Sequence, residues 1–266
     1  MDNLLYEIKN LQIKSTPKNG AIKILDKINI HINRGEILGL IGESGSGKSM
    51  LGCALLEMVP VGCLITKGSI IHHFNSNKRI SKIRGVHIAM ISQDPMQALN
   101  PLQKIKTQFK MILRRRFTSN KKSTKEQLLR WMKKVNLHTI PNILDRYPHQ
   151  LSGGQMQRVM IAMAMSINPD FIVADEITTG LDAGTKMDIL NLLASFQKKA
   201  GFSVLLISHD LKSIQKHCHR IAVLQSGEIV RVGSKISIIQ KIKDSYDIAI
   251  KKNKAENTEK ERNPVL

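Results

Sequence analysis

The chain has 266 residues, of which 42% are hydrophobic, and its 41 Lys and Arg outnumber its 21 Asp and Glu to give a net charge of +20. This composition is typical of a soluble globular protein with a large core, and its charge attracts anions such as nucleic acid or acidic lipid. The absence of a signal peptide, of metal-ligand spacing among the three cysteines and of an apolar run of roughly 18 residues predicts a protein of the reducing cytoplasm without a membrane span.

The N-terminal part of the chain reads as strands around one helix. The first forty residues alternate like paired strands up to the turn at 33–35, and Ile37–Ile41 is a further strand. A helix is predicted directly after Lys48. A weaker strand-like stretch follows to about Ile80, and a strand is predicted at Val86–Ser92.

The middle of the chain, from Pro101 to about Ile167, has the period of helices and predicts a helical insertion. The apolar residues of one predicted helix share a single stripe: Leu128, Leu129, Met132 and Val135. Twelve Lys and Arg lie between Pro101 and Val135, against the single acid Glu126. A solvated helical face and a membrane-proximal face both explain this basic run.

The last third of the chain returns to strands. Phe171–Asp175 and Ser203–Ser208 are short apolar runs of the kind buried on both faces of a parallel sheet. A helix from Lys186 to about Ala200 would connect them as a crossover unit. A hairpin is predicted to turn at Ser226–Gly227, and the polar residues 241–266 are expected to fray as a flexible tail.

The string GESGSGKS matches the phosphate-loop pattern G-x-x-x-x-G-K-[ST] at every fixed position, between a predicted strand and a predicted helix. In such a loop the backbone N–H groups surround phosphates, Lys48 reaches the β and γ oxygens, and Ser49 can hold Mg²⁺. The predicted ATP-binding loop consists of Gly42, Glu43, Ser44, Gly45, Ser46, Gly47, Lys48 and Ser49.

A phosphate loop also needs a carboxylate at the end of a neighbouring apolar strand. The string FIVADE supplies two, Asp175 and Glu176. Asp175 is predicted to hold Mg²⁺ through water, and Glu176 to polarise the water that attacks the γ-phosphate.

A second phosphate-seeking turn occurs in LSGGQ, where a serine and two glycines open a helix. A hydroxyl, exposed N–H groups and a helix N-terminus form a good anion cap only when they are brought up to a phosphate. Behind the turn, Gln155, Gln157 and Arg158 read as solvated polar residues. The apolar positions at helical spacing are expected to pack in the core: Met156, Met160, Met163 and Ile167.

In order and spacing, GESGSGKS, Gln93, LSGGQ, FIVADE and His209 in ISHD resemble an ABC transporter nucleotide-binding domain over roughly residues 1–240. The resemblance implies an α/β fold of the P-loop NTPase class, with an N-terminal antiparallel β region and a helical subdomain at about 100–167. It also implies hydrolysis of ATP with Mg²⁺.

The resemblance further assigns roles to single residues. The signature residues Ser152, Gly153, Gly154 and Gln155 would close over the ATP of a partner domain, and Asp182 would lie at the dimer seam. Gln93 would contact Mg²⁺ and relay the nucleotide state to membrane subunits, while His209 would contact the γ-phosphate. The implied metal ligands are Ser49, Gln93 and Asp175, and the implied catalytic residues are Lys48, Glu176 and His209.

The segments Arg84–Pro101 and Tyr147–Ala164 are similar to importers of oligopeptides, dipeptides and nickel. A C-terminal extension of the longer members is missing, which favours a nickel-type subunit and leaves a shortened peptide importer open. The implied partners are two transmembrane permease subunits, a second ATP-binding subunit, identical or not, and indirectly an extracytoplasmic solute-binding protein. The chain would be peripheral, at the cytoplasmic face of the cell membrane, with no nucleic acid bound.

Three departures from the family pattern stand out. Ile177 replaces a proline and Gly180 an alanine, and the aromatic residue expected after the first strand is missing. The nearest aromatic is Tyr6, so base recognition would be weak or rest on aliphatic contact. The alternative function is a non-transport ABC ATPase acting on nucleic acid or ribosomes, which the charge favours and the lack of a second such domain or long coiled coil disfavours. A regulatory module without turnover is disfavoured by the intact Lys48, Glu176 and His209.

Overall fold

The computed structural model describes residues 3–16, 20–74, 80–116 and 125–240. The predicted tail at 241–266 lies outside these ranges. No described helix is both long and apolar enough to span a bilayer. In chain order the elements are β1 (Leu4–Ser15), β2 (Lys23–Asn33), β3 (Ile37–Ile41), α1 (Lys48–Leu55), β4 (Cys63–His72), α2 (Ile80–Ile83), β5 (Ile88–Ile91), α3 (Pro95–Ala98), α4 (Ile105–Arg116), α5 (Lys125–Lys134), 3₁₀ turns at Ile143–Asp145 and Pro148–Gln150, α6 (Gly153–Ser166), β6 (Phe171–Asp175), α7 (Ala183–Ala200), β7 (Ser203–Ile207), α8 (Leu211–His217), β8 (Arg220–Gln225) and β9 (Glu228–Ser234).

Two sheets organise these elements. The first is antiparallel, in the order β2-β1-β4, and the second has the order β5-β6-β7-β3-β8-β9. In the second sheet β5, β6, β7, β3 and β8 are parallel, and β9 returns antiparallel to β8. The predicted α/β fold with an N-terminal antiparallel region is confirmed, as is the crossover from β6 through α7 to β7.

The central strands are apolar throughout because both of their faces are buried. Every residue of β3, β6 and β7 is buried. Along β3, Ile37 and Ile41 pack into the core shared with the helical region, whereas Leu38 and Leu40 face the core under the antiparallel sheet. This alternation follows from the two-residue period of a strand. The six-stranded sheet therefore separates two cores.

The helical insertion is anchored by short apolar stripes. Leu128, Met132 and Val135 are fully buried, but Leu129 is 41% exposed, so the predicted stripe was wrong at that position. The period of 3.6 residues places positions 128, 132 and 135 on one side of α5 and turns position 129 away from it. Phe109 and Leu113 anchor α4 in the same way, as part of the same core.

Helix α6 is buried more completely than its sequence indicates. The predicted core positions Met156, Met160, Met163 and Ile167 are all buried. Gln157 was predicted to be solvated and is instead only 1% exposed, because α3, α4, α5, α7 and β5 all pack around this helix. Arg158 was likewise predicted to be solvated, but its side chain is only 15% exposed, and it donates to Val135 O at 3.3 Å and pairs with Asp188 of α7 at 3.4 Å.

Side-chain caps and turns shift two predicted boundaries and leave a third, the hairpin, where it was predicted. α7 begins at Ala183 instead of Lys186, because the Asp182 carboxylate accepts the Thr185 N–H at 2.9 Å. β5 is shorter than predicted, since the N–H groups of Val86 and His87 donate back to Ile83 O. The predicted hairpin is confirmed, with φ of 47° and 81° at Ser226 and Gly227 as a type I′ turn requires.

Tyr6 lies in the core between the sheets and is 0% exposed. Its hydroxyl donates to Leu55 O at 3.0 Å, and its ring contacts Phe74 edge-on at 5.3 Å and Phe171 at 5.0 Å. Burial raises the pKa of the hydroxyl, which stays protonated as the donor. No face of this ring is open to a nucleotide base.

We therefore expect Tyr6→Phe to lower the free energy of unfolding by about 1 kcal/mol, the usual contribution of one buried hydrogen bond. The KM for ATP should not change, because the ring is enclosed by the core. Urea denaturation and ATPase kinetics on the same preparation measure both quantities. A several-fold rise in KM with unchanged stability would show that Tyr6 does contact the base.

Candidate functional site

The predicted site residues meet at one edge of the six-stranded sheet. The phosphate loop follows β3, the Asp175–Glu176 pair ends β6, His209 follows β7 and Gln93 follows β5. These four strands are neighbours and run parallel, in the order β5-β6-β7-β3, so their carboxyl ends lie side by side. Crevices at this edge of an open α/β sheet are where ligands bind.

The phosphate loop is built around positions that only glycine fills well. Gly45 and Gly47 have φ of 78° and 102°, in the left-handed region. A Cβ at Gly42 would lie 2.1 Å from Leu224 O, and one at Gly47 would lie 2.6 Å from the Leu25 side chain. The loop is therefore pressed against β8 and the start of β2.

Polar atoms inside the loop are turned inward. Lys48 is 5% exposed, and its Nζ donates to Gly42 O at 2.9 Å and to Glu43 O at 2.7 Å. Ser46 Oγ is buried without a hydrogen-bond partner among the described residues. A buried cation and an unsatisfied hydroxyl beside a helix N-terminus suit a phosphate ligand.

Asp175 is the buried acid of the site. It is 6% exposed, and its Oδ1 has no hydrogen-bond partner among the described residues. Burial raises the pKa of this carboxyl, the Ser49 hydroxyl opposes that rise, and Glu176 adds to it. Carboxylate and hydroxyl oxygens are the ligands that Mg²⁺ prefers. The unsatisfied oxygen beside Ser49 therefore fits this cation.

Glu176 is held by two neighbours that act on the same oxygen. The Thr179 hydroxyl donates to Glu176 Oε2 at 3.2 Å, and His209 Nδ1 lies 3.4 Å from that oxygen. The Glu176 side chain is 19% exposed, and no hydrogen bond to its other oxygen is seen within the described residues. Sequence reasoning named Glu176 and His209 but missed Thr179, whose signal was a hydroxyl three residues after the acid in a turn.

Gln93 faces the acid across a cleft. The cleft has a volume of about 640 Å³, and its lining includes Gln93, Asp175 and Thr179. The short helix α3 forms another wall, and the Asp94 carboxylate caps it by accepting the Met96 N–H at 2.8 Å. Gln93 is thus brought to Asp175, as a shared role at one cation requires.

The signature turn lies on the other side of the sheet from the phosphate loop. Ser152 Oγ accepts the Gln155 N–H at 3.3 Å, and Gln155 Oε1 accepts the Ser152 N–H at 3.0 Å, a reciprocal capping box. A Cβ at Gly154 would lie 2.8 Å from Thr185 of α7, whereas one at Gly153 would make an ordinary contact. Ser152 and Gly153 are exposed at the start of α6.

The signature turn and the phosphate loop each lie against a different one of the two cores. The signature glycines touch Leu181 and Thr185, next to the helical core, and Asp182 caps α7 at the same place. The phosphate-loop glycines instead touch Leu25 and Leu224 of the opposite core. The signature residues and Asp182 are therefore neighbours of each other.

Comparisons with known proteins agree with this geometry. A family model described as ABC transporter matches residues 25–179. The probable D,D-dipeptide transport ATP-binding protein DdpD of Escherichia coli (strain K12) is 32% identical over 94% of this chain and 78% of its own length. The dipeptide transport ATP-binding protein DppD of Haemophilus influenzae (strain ATCC 51907 / DSM 11121 / KW20 / Rd) is 36% identical over 92% and 76%, respectively.

A similar solved structure is the dimeric, post-hydrolysis state of the ATP-binding cassette MJ0796, bound to ADP and Pi. It is 28% identical, with a TM-score of 0.73 over 87% of this chain and 99% of that one. The fold and the glycine-rich loop that follows β3 define this protein as a P-loop nucleotide hydrolase. With the family match and these relatives, the chain belongs to the ABC transporter ATP-binding family, and it is an ATP hydrolase.

Proposed function

We propose that this chain is the ATP-hydrolysing subunit of a membrane importer and that it drives solute uptake through two permease subunits. The observation that carries the proposal is the meeting of the phosphate loop, Asp175, Glu176 and Gln93 at one edge of the sheet, with the signature turn set apart from them. Each ATP would lie between the phosphate loop of one cassette and the signature turn of a second cassette.

Dipeptides or oligopeptides are the solute class that we propose. Two relatives that cover more than nine-tenths of this chain are named for transport of D,D-dipeptides and dipeptides. Neither relative is named for nickel, the other solute that the sequence motifs imply. The chain would work at the cytoplasmic face of the cell membrane as a peripheral subunit.

In the proposed reaction, the loop N–H groups and Lys48 bind the ATP phosphates, and Glu176 accepts a proton from the attacking water through Oε1. His209 and Thr179 hold Oε2 and so orient the carboxylate. Ser49, Asp175 and Gln93 would hold Mg²⁺, which when bound neutralises phosphate charge. The partner's signature turn adds N–H groups and a helix N-terminus at the γ-phosphate.

Coupling to the permease would run through α3. Its Ala98 lines the Gln93 cleft and also an apolar groove of about 250 Å³ whose lining includes Met58, Met90 and Met163. Arg84 lies on the lining of this groove, so the segment that fits it is an amphipathic permease helix with acidic residues beside its apolar ones. A movement of Gln93 would therefore be passed to the permease helix through α3.

Co-purification from detergent extracts tests the proposal. The wild-type chain should bring down hydrophobic subunits, and Met58→Glu should lose them because a carboxylate in the groove repels an acidic, apolar helix. Ile65→Glu is the matched control, since Ile65 and Met58 are similarly exposed, at 47% and 48%, and Ile65 lies in β4, outside the lining. Recovery of RNA or DNA in place of hydrophobic subunits would favour the nucleic-acid ATPase.

A further inference from the structure

The basic run on the helical insertion divides into cations that are used within the fold and cations that are not. Lys104 and Lys106 both reach Asp145, at 3.8 and 2.5 Å. Arg115 Nε donates to Arg84 O at 3.1 Å, which ties the end of α4 to the turn before β5. These contacts stabilise the position of α4.

Four other cations form no close ion pair within the described part of the chain, although Lys125 lies near enough to Asp145 to help lower the pKa of that carboxyl: Lys110, Arg114, Lys125 and Lys133. On α4, Lys110 and Arg114 are four residues apart and so share one face. On α5, Lys125 and Lys133 are eight residues apart, which again places them on one face.

Each of these faces also presents an exposed apolar side chain. Met111, 55% exposed, lies beside Lys110 and three residues before Arg114. Leu129, 41% exposed, lies midway between Lys125 and Lys133. Leu129 was predicted to belong to the core stripe of α5. It instead lies between the two lysines on the outer side, where basic and apolar side chains form a second stripe.

Both stripes lie on helices that pack against the same two elements. α4 and α5 each pack against α6 and the 3₁₀ turn at 143–145, and their inner residues share one core. Their inner faces are therefore occupied, and the stripes lie on the outer faces. Among the described residues, the side chains of Met111 and Leu129 remain partly exposed.

We propose that the outer stripes of α4 and α5 bind the surface of a bilayer that contains anionic phospholipid. Phosphate headgroups would meet Lys110, Arg114, Lys125 and Lys133, and the side chains of Met111 and Leu129 would enter the boundary of the acyl region. This binding is separate from ATP hydrolysis, and none of these residues belongs to the nucleotide site.

Lipid fits this surface better than nucleic acid does. A nucleic acid would use the same cations, but single-stranded binding also relies on aromatic side chains on which bases stack. Neither stripe contains an aromatic residue. The nearby Trp131 ring is engaged by Lys134, whose Nζ lies 3.9 Å from its centroid, and by Phe196 at 6.2 Å.

Vesicle flotation of the purified full chain tests the proposal. The chain should float with vesicles of phosphatidylcholine mixed with phosphatidylglycerol and remain below vesicles of phosphatidylcholine alone. Changing all four cations to glutamine should lower the bound fraction about tenfold or more, because each cation contributes separately at an anionic surface. The matched control changes four exposed lysines elsewhere to glutamine: Lys67, Lys198, Lys199 and Lys212.

A second variant isolates the apolar contribution. Met111→Ser with Leu129→Ser should release the chain at about 1 M salt, where the Debye length falls to about 3 Å and apolar contact must hold it. Both variant sets should keep the wild-type rate of ATP hydrolysis, which reports an intact fold. Equal loss of vesicle binding in the control set would reduce the effect to net charge and overturn the proposal. The proposal would also be overturned if the four-cation variant lost RNA binding, measured by fluorescence anisotropy, while its vesicle binding was unchanged.

Discussion

Glu176→Gln is expected to slow ATP hydrolysis by about 100-fold or more, the usual contribution of a general base. Glutamine keeps the size of the side chain but cannot accept a proton from water. The loop and Lys48 are untouched, so ATP should still bind. With hydrolysis blocked and the phosphates held, two cassettes should remain closed around ATP.

Two measurements follow from this change. Phosphate release gives the rate, and gel filtration in ATP and Mg²⁺ should show a stable dimer that ADP does not support. Glu126→Gln is the control, because Glu126 is an exposed glutamate in the first turn of α5, in the helical insertion and outside the strand ends that form the site. Undiminished phosphate release by Glu176→Gln would assign the base to another group.

The contacts around Glu176 separate an effect on catalysis from an effect on structure. Thr179 and His209 hold one carboxylate oxygen, so the substitution removes the acceptor without removing the turn that positions it. The Glu176 N–H donates to Ile207 O at 3.0 Å, which fixes the backbone whatever the side chain. A loss of rate would therefore report chemistry and not a loss of local structure.

Much of the fold could be predicted because each strand and the phosphate loop are marked by short, continuous stretches of sequence. β3, β6 and β7 are apolar at nearly every position since both of their faces are buried, and such runs are legible in the sequence. The phosphate loop and the Asp175–Glu176 pair follow such strands directly. Their meeting at one edge then follows from parallel pairing.

What the sequence did not predict depends on contacts between distant residues. Gln157 is buried because several elements surround α6, and nothing in its own helix indicates this. Leu129 is exposed because the stripe of α5 is narrower than its run of apolar letters. The apolar groove joins residues from Leu56 to Ile167, and no short window of sequence contains it.

The signature turn should act on the ATP of the other cassette, and paired variants can show this directly. Lys48→Met removes the charge that binds phosphate, and Gly153→Asp places a carboxylate where the partner's phosphate would approach. Gly153 suits this change because a Cβ there makes only a 3.6 Å contact with Leu181, whereas one at Gly154 would clash with Thr185. Each variant alone is expected to lose ATPase activity by about 100-fold or more.

A mixture of the two variants should regain activity that neither has alone. In a mixed dimer, the intact phosphate loop of the Gly153→Asp chain meets the intact signature turn of the Lys48→Met chain, which completes one of the two sites. Random pairing of equal amounts would restore about a quarter of all sites. Phosphate release after mixing measures the recovery, and circular dichroism checks that each variant is folded. If Gly153→Asp alone kept full activity, or if dimers confirmed by gel filtration regained none on mixing, the two turns would not share one ATP.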